Sequence, residues 1–202
     1  MRQSRKAFWW TQVRVWHWVS SAISLIGMIL FAITGITLNH ASAIEASPVV
    51  TKRDAVLPAD LQKSLRAAEA QKADLPEPVA NWLRSELGVV PKSVEWQSGE
   101  VYVGMPGPGS DTWLTVQLDS GAVHHESTSR GWVSYLNDLH KGRNTGTAWV
   151  WFLDVFAVAS IIFCVTGLLL LQLHAKNRPF TWPAVSIGFV LPVMVIVIFI
   201  HR

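Results

Sequence analysis

HWVSSAISLIGMILFAITGITLNH, residues 17–40, decides the fold. No residue between its two histidines is charged, and Trp18 to Leu38 reaches the roughly 20 apolar positions that a bilayer core demands. Two further runs match it. Ala148 to Leu173 carries Asp154 as its one charge, and Trp182 to Ile200 carries none. In a chain of 202 residues, half of them apolar, such runs predict an integral membrane α-helical protein with three transmembrane helices.

Basic residues precede the first run, so a signal peptide has to be weighed. The apolar stretch is about twice the length of an ordinary h-region, and Ala41-Ser42-Ala43 is the nearest candidate cleavage site. Removal there would discard both histidines and a full span, so the run is read as a retained helix. Arg2, Arg5, Lys6 and Arg14 before it, with Lys176 and Arg178 between the second and third spans, place both flanks in the cytoplasm. Trp9, Trp10, Trp16, Trp18, Trp149, Trp151 and Trp182 mark the interfaces. The expected localisation is a bacterial inner membrane, with residues 41–146 periplasmic. The formal charge of +3 resides mostly in these topogenic residues and is no nucleic-acid footprint.

The expected organisation follows. Residues 1–40 form the cytoplasmic N-terminus and first span, 41–146 an exported module, 147–175 the second span, and 176–202 a short loop and third span. A connection of about 100 residues requires a fold of its own. Leu57-Pro58-Ala59-Asp60 opens a helix through Leu61, Leu65 and Ala68, and Pro76 to Leu87 reads as a second helix. Val94 and Trp96, then Ser98-Gly99, then Val101 and Val103 predict a hairpin, and Trp113 to Gln117 before Asp119-Ser120-Gly121 predicts another. The module is thus expected to be a small α+β fold, helices first and strands second. GMPGPG at 104–109 is a turn, and neither a Walker sequence nor GxGxxG occurs in the chain. Cys164 is the single cysteine, which rules out an intrachain disulfide and a CxxCH haem attachment.

Four histidines stand at helix edges: His17 and His40 on the first run, His174 in LQLHAK, and His140 in NDLHKGRNTG. Each alone reads as an interfacial residue. Together they put two imidazoles at each face, the number of axial ligands that a low-spin b-type haem takes. His17 and His40 lie about 35 Å apart on a helix, so one cofactor cannot serve both faces and two haems are implied. Ser20, Ser21, Ser24 and Gly27 continue from His17 toward Gly35 as a small-residue stripe, and Gly167 shares a face with His174. Such a stripe admits a macrocycle or simply close helix packing. For His140 to reach the depth of His40, the chain must break at Gly142, Asn144 and Gly146. His124 and His125 are adjacent on a strand, point to opposite faces and make poor joint ligands. His201 ends the last span. Asp154, a carboxylate inside a span, is a candidate proton relay or electrostatic influence on an outer haem.

The run 17–40, with LNDLHKGRNTGTAWVWFLD and CVTGLLLLQLH, resembles the PepSY-associated transmembrane helix family. The hairpins ending VQLDSGAV are similar to a PepSY module. That family includes bacterial inner-membrane haem proteins that reduce ferric siderophores, and others linked to iron or copper uptake. The resemblance implies haem b ligation by His17, His174, His40 and His140. It also implies an external electron donor, a reductase or quinol, and a periplasmic ferric chelate or other metal as acceptor. With only three spans, a second copy as a homodimer could share in enclosing the haems. Two other readings stand beside this oxidoreductase: a non-enzymatic membrane anchor or assembly protein that binds a periplasmic partner, and a haem or metal handling protein.

Overall fold

The computed structural model describes residues 2–44, 47–69, 72 and 74–201. Three helices are long and apolar enough to cross a membrane, over Arg5–Asn39, Thr147–Asn177 and Thr181–Ile200. The protein is therefore a multi-pass membrane protein. Helix α1 runs Arg2–Asn39. Strand β1 (Val49–Val56), helices α2 (Ala59–Glu69) and α3 (Glu77–Leu87), and strands β2 (Ser93–Gln97), β3 (Glu100–Gly104), β4 (Ser110–Gln117) and β5 (Ala122–Ser129) follow. Helix α4 (Gly131–Lys141), helix α5 (Thr147–His174), a 3-10 turn at Ala175–Asn177 and helix α6 (Thr181–Val195) complete the chain, with a π-turn at Ile196–Ile200. Pro192 lies inside α6 and withholds a helix amide four residues before that π-turn.

The chain divides into two compact units, Met1–Leu30 with Phe152–Arg202, and Phe31–Trp151. In the first unit α1 and α5 pack in opposite directions. Ser24 is fully buried and Ser20 nearly so, each hydroxyl donating back to a carbonyl of its own helix. A methyl group at Gly27 would collide with the ring of Phe156. This part of the small-residue stripe is occupied by protein, as close membrane packing requires.

The second unit is built on an antiparallel sheet of order β1-β5-β4-β3-β2. β2 to β5 form a meander, with Ser98-Gly99 as the two-residue loop of the first hairpin. Val101, Val103, Leu114, Val116 and Val123 share one face of the sheet. They join Leu65 of α2 and Val79, Leu83 and Leu87 of α3 in a single core. At about 25 cal/mol per Å² of apolar surface, each of these side chains contributes roughly 1.5–3 kcal/mol relative to exposure.

The strand order corrects the expectation of helices first and strands second. β1 precedes both helices and pairs with β5 from Val49↔Ser129 to Val56↔Ala122. It escaped notice because it is an edge strand, exposed along nearly its whole length, with Thr51-Lys52-Arg53-Asp54 interrupting any apolar alternation. Main-chain pairing to β5 places it there, and side-chain burial contributes little.

α4 leaves the sheet at Arg130 and is fixed to the β3–β4 turn. The backbone N–H of Gly109 donates to the buried Asp138 carboxylate at 2.8 Å. Gly109 has φ +61°, and a Cβ there would come within 2.6 Å of the Tyr135 backbone. α4 ends at Gly142, which is left-handed, with Arg143 N–H donating to Asp138 O. Asn144 (φ 58°) and Gly146 (φ 80°) turn the chain into α5, and Trp149 Nε1 then donates to Leu139 O at 2.9 Å. The helix thus breaks at the three residues that its sequence marks for a break.

Candidate functional site

In the first unit His17 leaves α1 toward α5. Its ring stacks on Phe163 with centroids 4.8 Å apart and planes at 16°. Nδ1 lies 3.0 Å from Thr166 Oγ1. Cε1 lies 3.4 Å from where a Cβ on Gly167 would stand, so the imidazole packs directly over the glycine. The polarity of the Thr166 bond follows from the hydroxyl's other partner. Thr166 Oγ1 donates to Ile162 O at 2.6 Å, which uses its only proton. It must accept from His17, whose proton is therefore on Nδ1 and whose lone pair is on Nε2.

In the second unit His140, on the last turn of α4, has a matching environment. Its Nδ1 is 2.6 Å from Thr34 Oγ1, its ring lies 4.8 Å from that of Phe31, and its Cε1 is 3.8 Å from the Cβ position of Gly35. Thr34 Oγ1 also reaches Phe31 O at 3.1 Å, and donation to that carbonyl leaves it to accept from imidazole Nδ1–H. One turn away a second polar rung forms, with Thr37 Oγ1 donating to the buried Asn137 at 2.7 Å.

The signal for this pairing is a short internal repeat that the histidine count alone overlooks. Phe31-Ala-Ile-Thr34-Gly35 and Phe163-Cys-Val-Thr166-Gly167 share the pattern F-x-x-T-G. At helical spacing Phe and Thr lie three positions apart with Gly beside them, which gives one face a ring, a hydroxyl and a gap. Each repeat receives one histidine.

His40 and His174 are exposed and bond to their own helices. His40 Nδ1 is 3.0 Å from Ile36 O and His174 Nδ1 is 2.8 Å from Leu170 O. A carbonyl can only accept, so in both rings Nδ1 carries the proton and Nε2 the lone pair. All four imidazoles thus place Nδ1 against an oxygen, an arrangement that a single Nδ1–H tautomer satisfies throughout. A hydrogen bond from the far ring nitrogen to a fixed acceptor is what orients a metal-ligating histidine.

His17 and His174 meet at one cleft of about 680 Å³, lined also by Cys164, Gly167, Leu171 and Arg178. That volume lies within the roughly 300–1,000 Å³ common for ligand sites. No hydrogen bond joins His40 to His140 among the described residues. Nor do the described residues contain a group of three or more His, Cys, Asp or Glu side chains able to hold a bare metal ion. Asp154 is exposed on α5. His124 and His125 do fall on opposite faces of the sheet: His124 Nδ1 sits 2.7 Å from Asp54, while His125 is buried on the core side. Burial, and secondarily Arg53, holds the His125 imidazole below its ordinary 6.5. Burial, then Asp111 and Glu95, raises the Tyr102 phenol.

No curated protein and no solved structure matches the chain. A family profile, described as PepSY_TM-like, matches residues 8–201. That match takes in the three apolar helices, both F-x-x-T-G repeats, the sheet and all four helix-edge histidines, and the chain belongs to the PepSY_TM-like family.

Proposed function

We propose that this protein is a di-haem b electron conduit of the bacterial inner membrane. It passes electrons from the cytoplasmic side, or from quinol, to a periplasmic ferric chelate or other metal. The observation that carries the proposal is a shared hydrogen-bonding pattern: four helix-edge imidazoles, each with Nδ1 against an oxygen and Nε2 left for iron. A haem brings four nitrogens of its own and asks the protein for only two ligands, so it suits pairs of histidines; a bare ion needs three or four.

The fit is best for His17 with His174, which line one cleft. His40 with His140 is the second pair, supported by tautomer and by the turn at Gly142. Bound haem supplies one-electron redox chemistry at iron. The chain supplies the rest. Thr166 and Thr34 orient the His17 and His140 rings, Phe163 stacks on the first and Phe31 lies tilted against the second, and the surrounding apolar helices exclude water. Asp154 would act as a proton relay or as an electrostatic influence on an outer haem. Electrons must arrive from a separate reductase or quinol, since the sequence has no nucleotide motif.

The test is haem stoichiometry. Purified protein expressed with adequate haem should show a Soret band and two haems b per chain by pyridine haemochrome. His17→Ala and His140→Ala should each remove one. A preparation without a Soret band sinks the conduit and leaves a non-enzymatic anchor or assembly protein. Haem that binds but is not reduced by quinol or a reductase leaves a haem handling protein.

A further inference from the structure

The face of the sheet that carries the core changes character partway along β5. Val123 is fully buried in the core, but the next residues on that face are His125 and Ser127. Their cross-strand neighbours are Leu114 and Thr112 on β4 and Arg53 and Thr51 on β1. Beyond the end of α3 these side chains line a cleft of about 520 Å³, closed on its other side by Leu87 to Val90 and Lys92.

Two features of this cleft are unusual. His125 is 7% exposed, yet neither ring nitrogen has a hydrogen-bond partner. Its charge is also one-sided. On the opposite face of the same strands, Lys52 pairs with Glu126 at 3.0 Å and His124 with Asp54 at 2.7 Å. In the cleft, Lys92 Nζ donates only to Pro106 O at 3.2 Å, and Arg53 makes no ion pair among the described residues. No carboxylate lines the cleft.

We propose that this cleft binds a small oxyanion, a polycarboxylate or a phosphate, between Arg53 and Lys92, with the hydroxyl of Thr51 and one hydroxyl of the Thr112–Ser127 pair as further donors. A guanidinium fork and an ammonium group lining one cleft with hydroxyls supply what a multivalent anion needs. The Thr112 and Ser127 hydroxyls already bond each other at 2.9 Å, which fixes them as a pair. His125 lies at the floor with both nitrogens covered, and rotation about its χ2 brings an N–H to the ligand. The groups facing it are Arg53 from β1 and Lys92 from the segment after α3, while β4 contributes only Leu114 and Thr112. An anion there offsets Arg53 and offers the imidazole a partner, so protonation of His125 and anion binding favour each other. The site is independent of haem.

Calorimetry on the full-length protein in a nonionic detergent tests it, with citrate, inorganic phosphate and sulfate as probes. Saturable binding in the millimolar range or tighter is expected for at least one of them. Citrate binding more tightly than phosphate identifies a carboxylate ligand, and the reverse order a phosphoryl one. Sulfate does not titrate near neutrality, so it isolates the histidine. Its affinity should rise several-fold from about pH 7.5 to about pH 6, and His125→Gln should abolish that rise. Arg53→Gln, an exposed change on an edge strand, should weaken binding about tenfold. Absence of saturable binding by all three anions overturns the proposal, as does an Arg53→Gln protein that binds as wild type does.

Discussion

Thr34 Oγ1 and His140 Nδ1 stand 2.6 Å apart, and the hydroxyl proton is already given to Phe31 O. With the proton directed at that carbonyl the bond runs from imidazole to hydroxyl, so a threonine on α1 sets which nitrogen of a histidine on α4 is free. Thr166 does the same for His17 at 3.0 Å. In both places a glycine follows the threonine and a phenylalanine precedes it by three residues. A helix face that lacks a side chain beside a hydroxyl seats an imidazole edge-on, and its chemistry is fixed by one acceptor.

Thr34→Val and Thr166→Val keep the volume and remove that acceptor. Each leaves a histidine Nδ1–H without its partner, at a cost of about 1–3 kcal/mol. Loss of the outer hydrogen bond of a ligating histidine lowers metal affinity roughly 10–100-fold. Each variant should therefore lose haem to apomyoglobin faster than wild type does, at one site only, with Thr166→Val affecting the His17 site. Unchanged transfer rates in both variants would separate these hydroxyls from any ligating role.

Gly27 and Gly167 lie on facing helices but differ in what fills their gaps. At Gly27 the neighbour is the Phe156 ring, so Gly27→Ala forces α1 and α5 apart and should lower thermal stability by an amount typical of overpacking, about 1–3 kcal/mol. At Gly167 the neighbour is His17 Cε1 at 3.4 Å, a tight contact that a small ring shift relieves. Gly167→Ala should leave the unfolding midpoint nearly unchanged and perturb the Soret or α-band of the haem proposed at His17. Equal stability losses in the two variants would show that Gly167 serves packing alone.

Much of this was readable in the sequence because bilayer length and apolar runs admit few alternatives: the spans at Trp18, Ala148 and Trp182 fall inside the observed helices. The hairpin at Ser98-Gly99 and the helix ending before Gly88 were legible for the same reason, since turn residues sit where the backbone needs them. β1 was not legible, because its place comes from pairing with a strand some 70 residues away. The histidines were visible as ligand candidates, but the threonines that set their tautomers were not. Nothing in the spacing of Thr34 and His140, 106 residues apart, announces a contact that only the folding of α4 against α1 creates.

The Asp138 carboxylate ties α4 to the β3–β4 turn through Gly109 N–H, and His140 is two residues further on the same helix. Asp138→Ala leaves that amide buried and unpaired, at a cost of about 1–3 kcal/mol, and frees the helix that carries His140. Gly109→Ala should do the same by steric conflict with the Tyr135 backbone. Both variants should unfold at lower urea by tryptophan fluorescence and lose the haem proposed at His140 while keeping the one proposed at His17. Loss of both haems together would indicate that Asp138 supports the whole protein and not this docking alone.

His125 gives the module a pH dependence of definite sign. Burial and Arg53 hold its folded-state imidazole below the ordinary value of 6.5, so the unfolded chain binds the proton more readily than the folded one. The resulting stability is fully present above pH 6.5 and is lost as pH falls through the lowered folded value. Thermal unfolding followed by tryptophan fluorescence should therefore show a midpoint that declines on acidification from about pH 7.5 to about pH 5. His125→Leu fills the same space without a polar atom to leave unpaired, so it should raise the midpoint by several degrees at neutral pH and flatten this part of the decline. Citrate or sulfate should also oppose the acid-induced decline in wild type, because an anion beside Arg53 lessens the cost of a protonated His125. A His125→Leu protein that keeps the full acid sensitivity of wild type would assign that sensitivity to other groups.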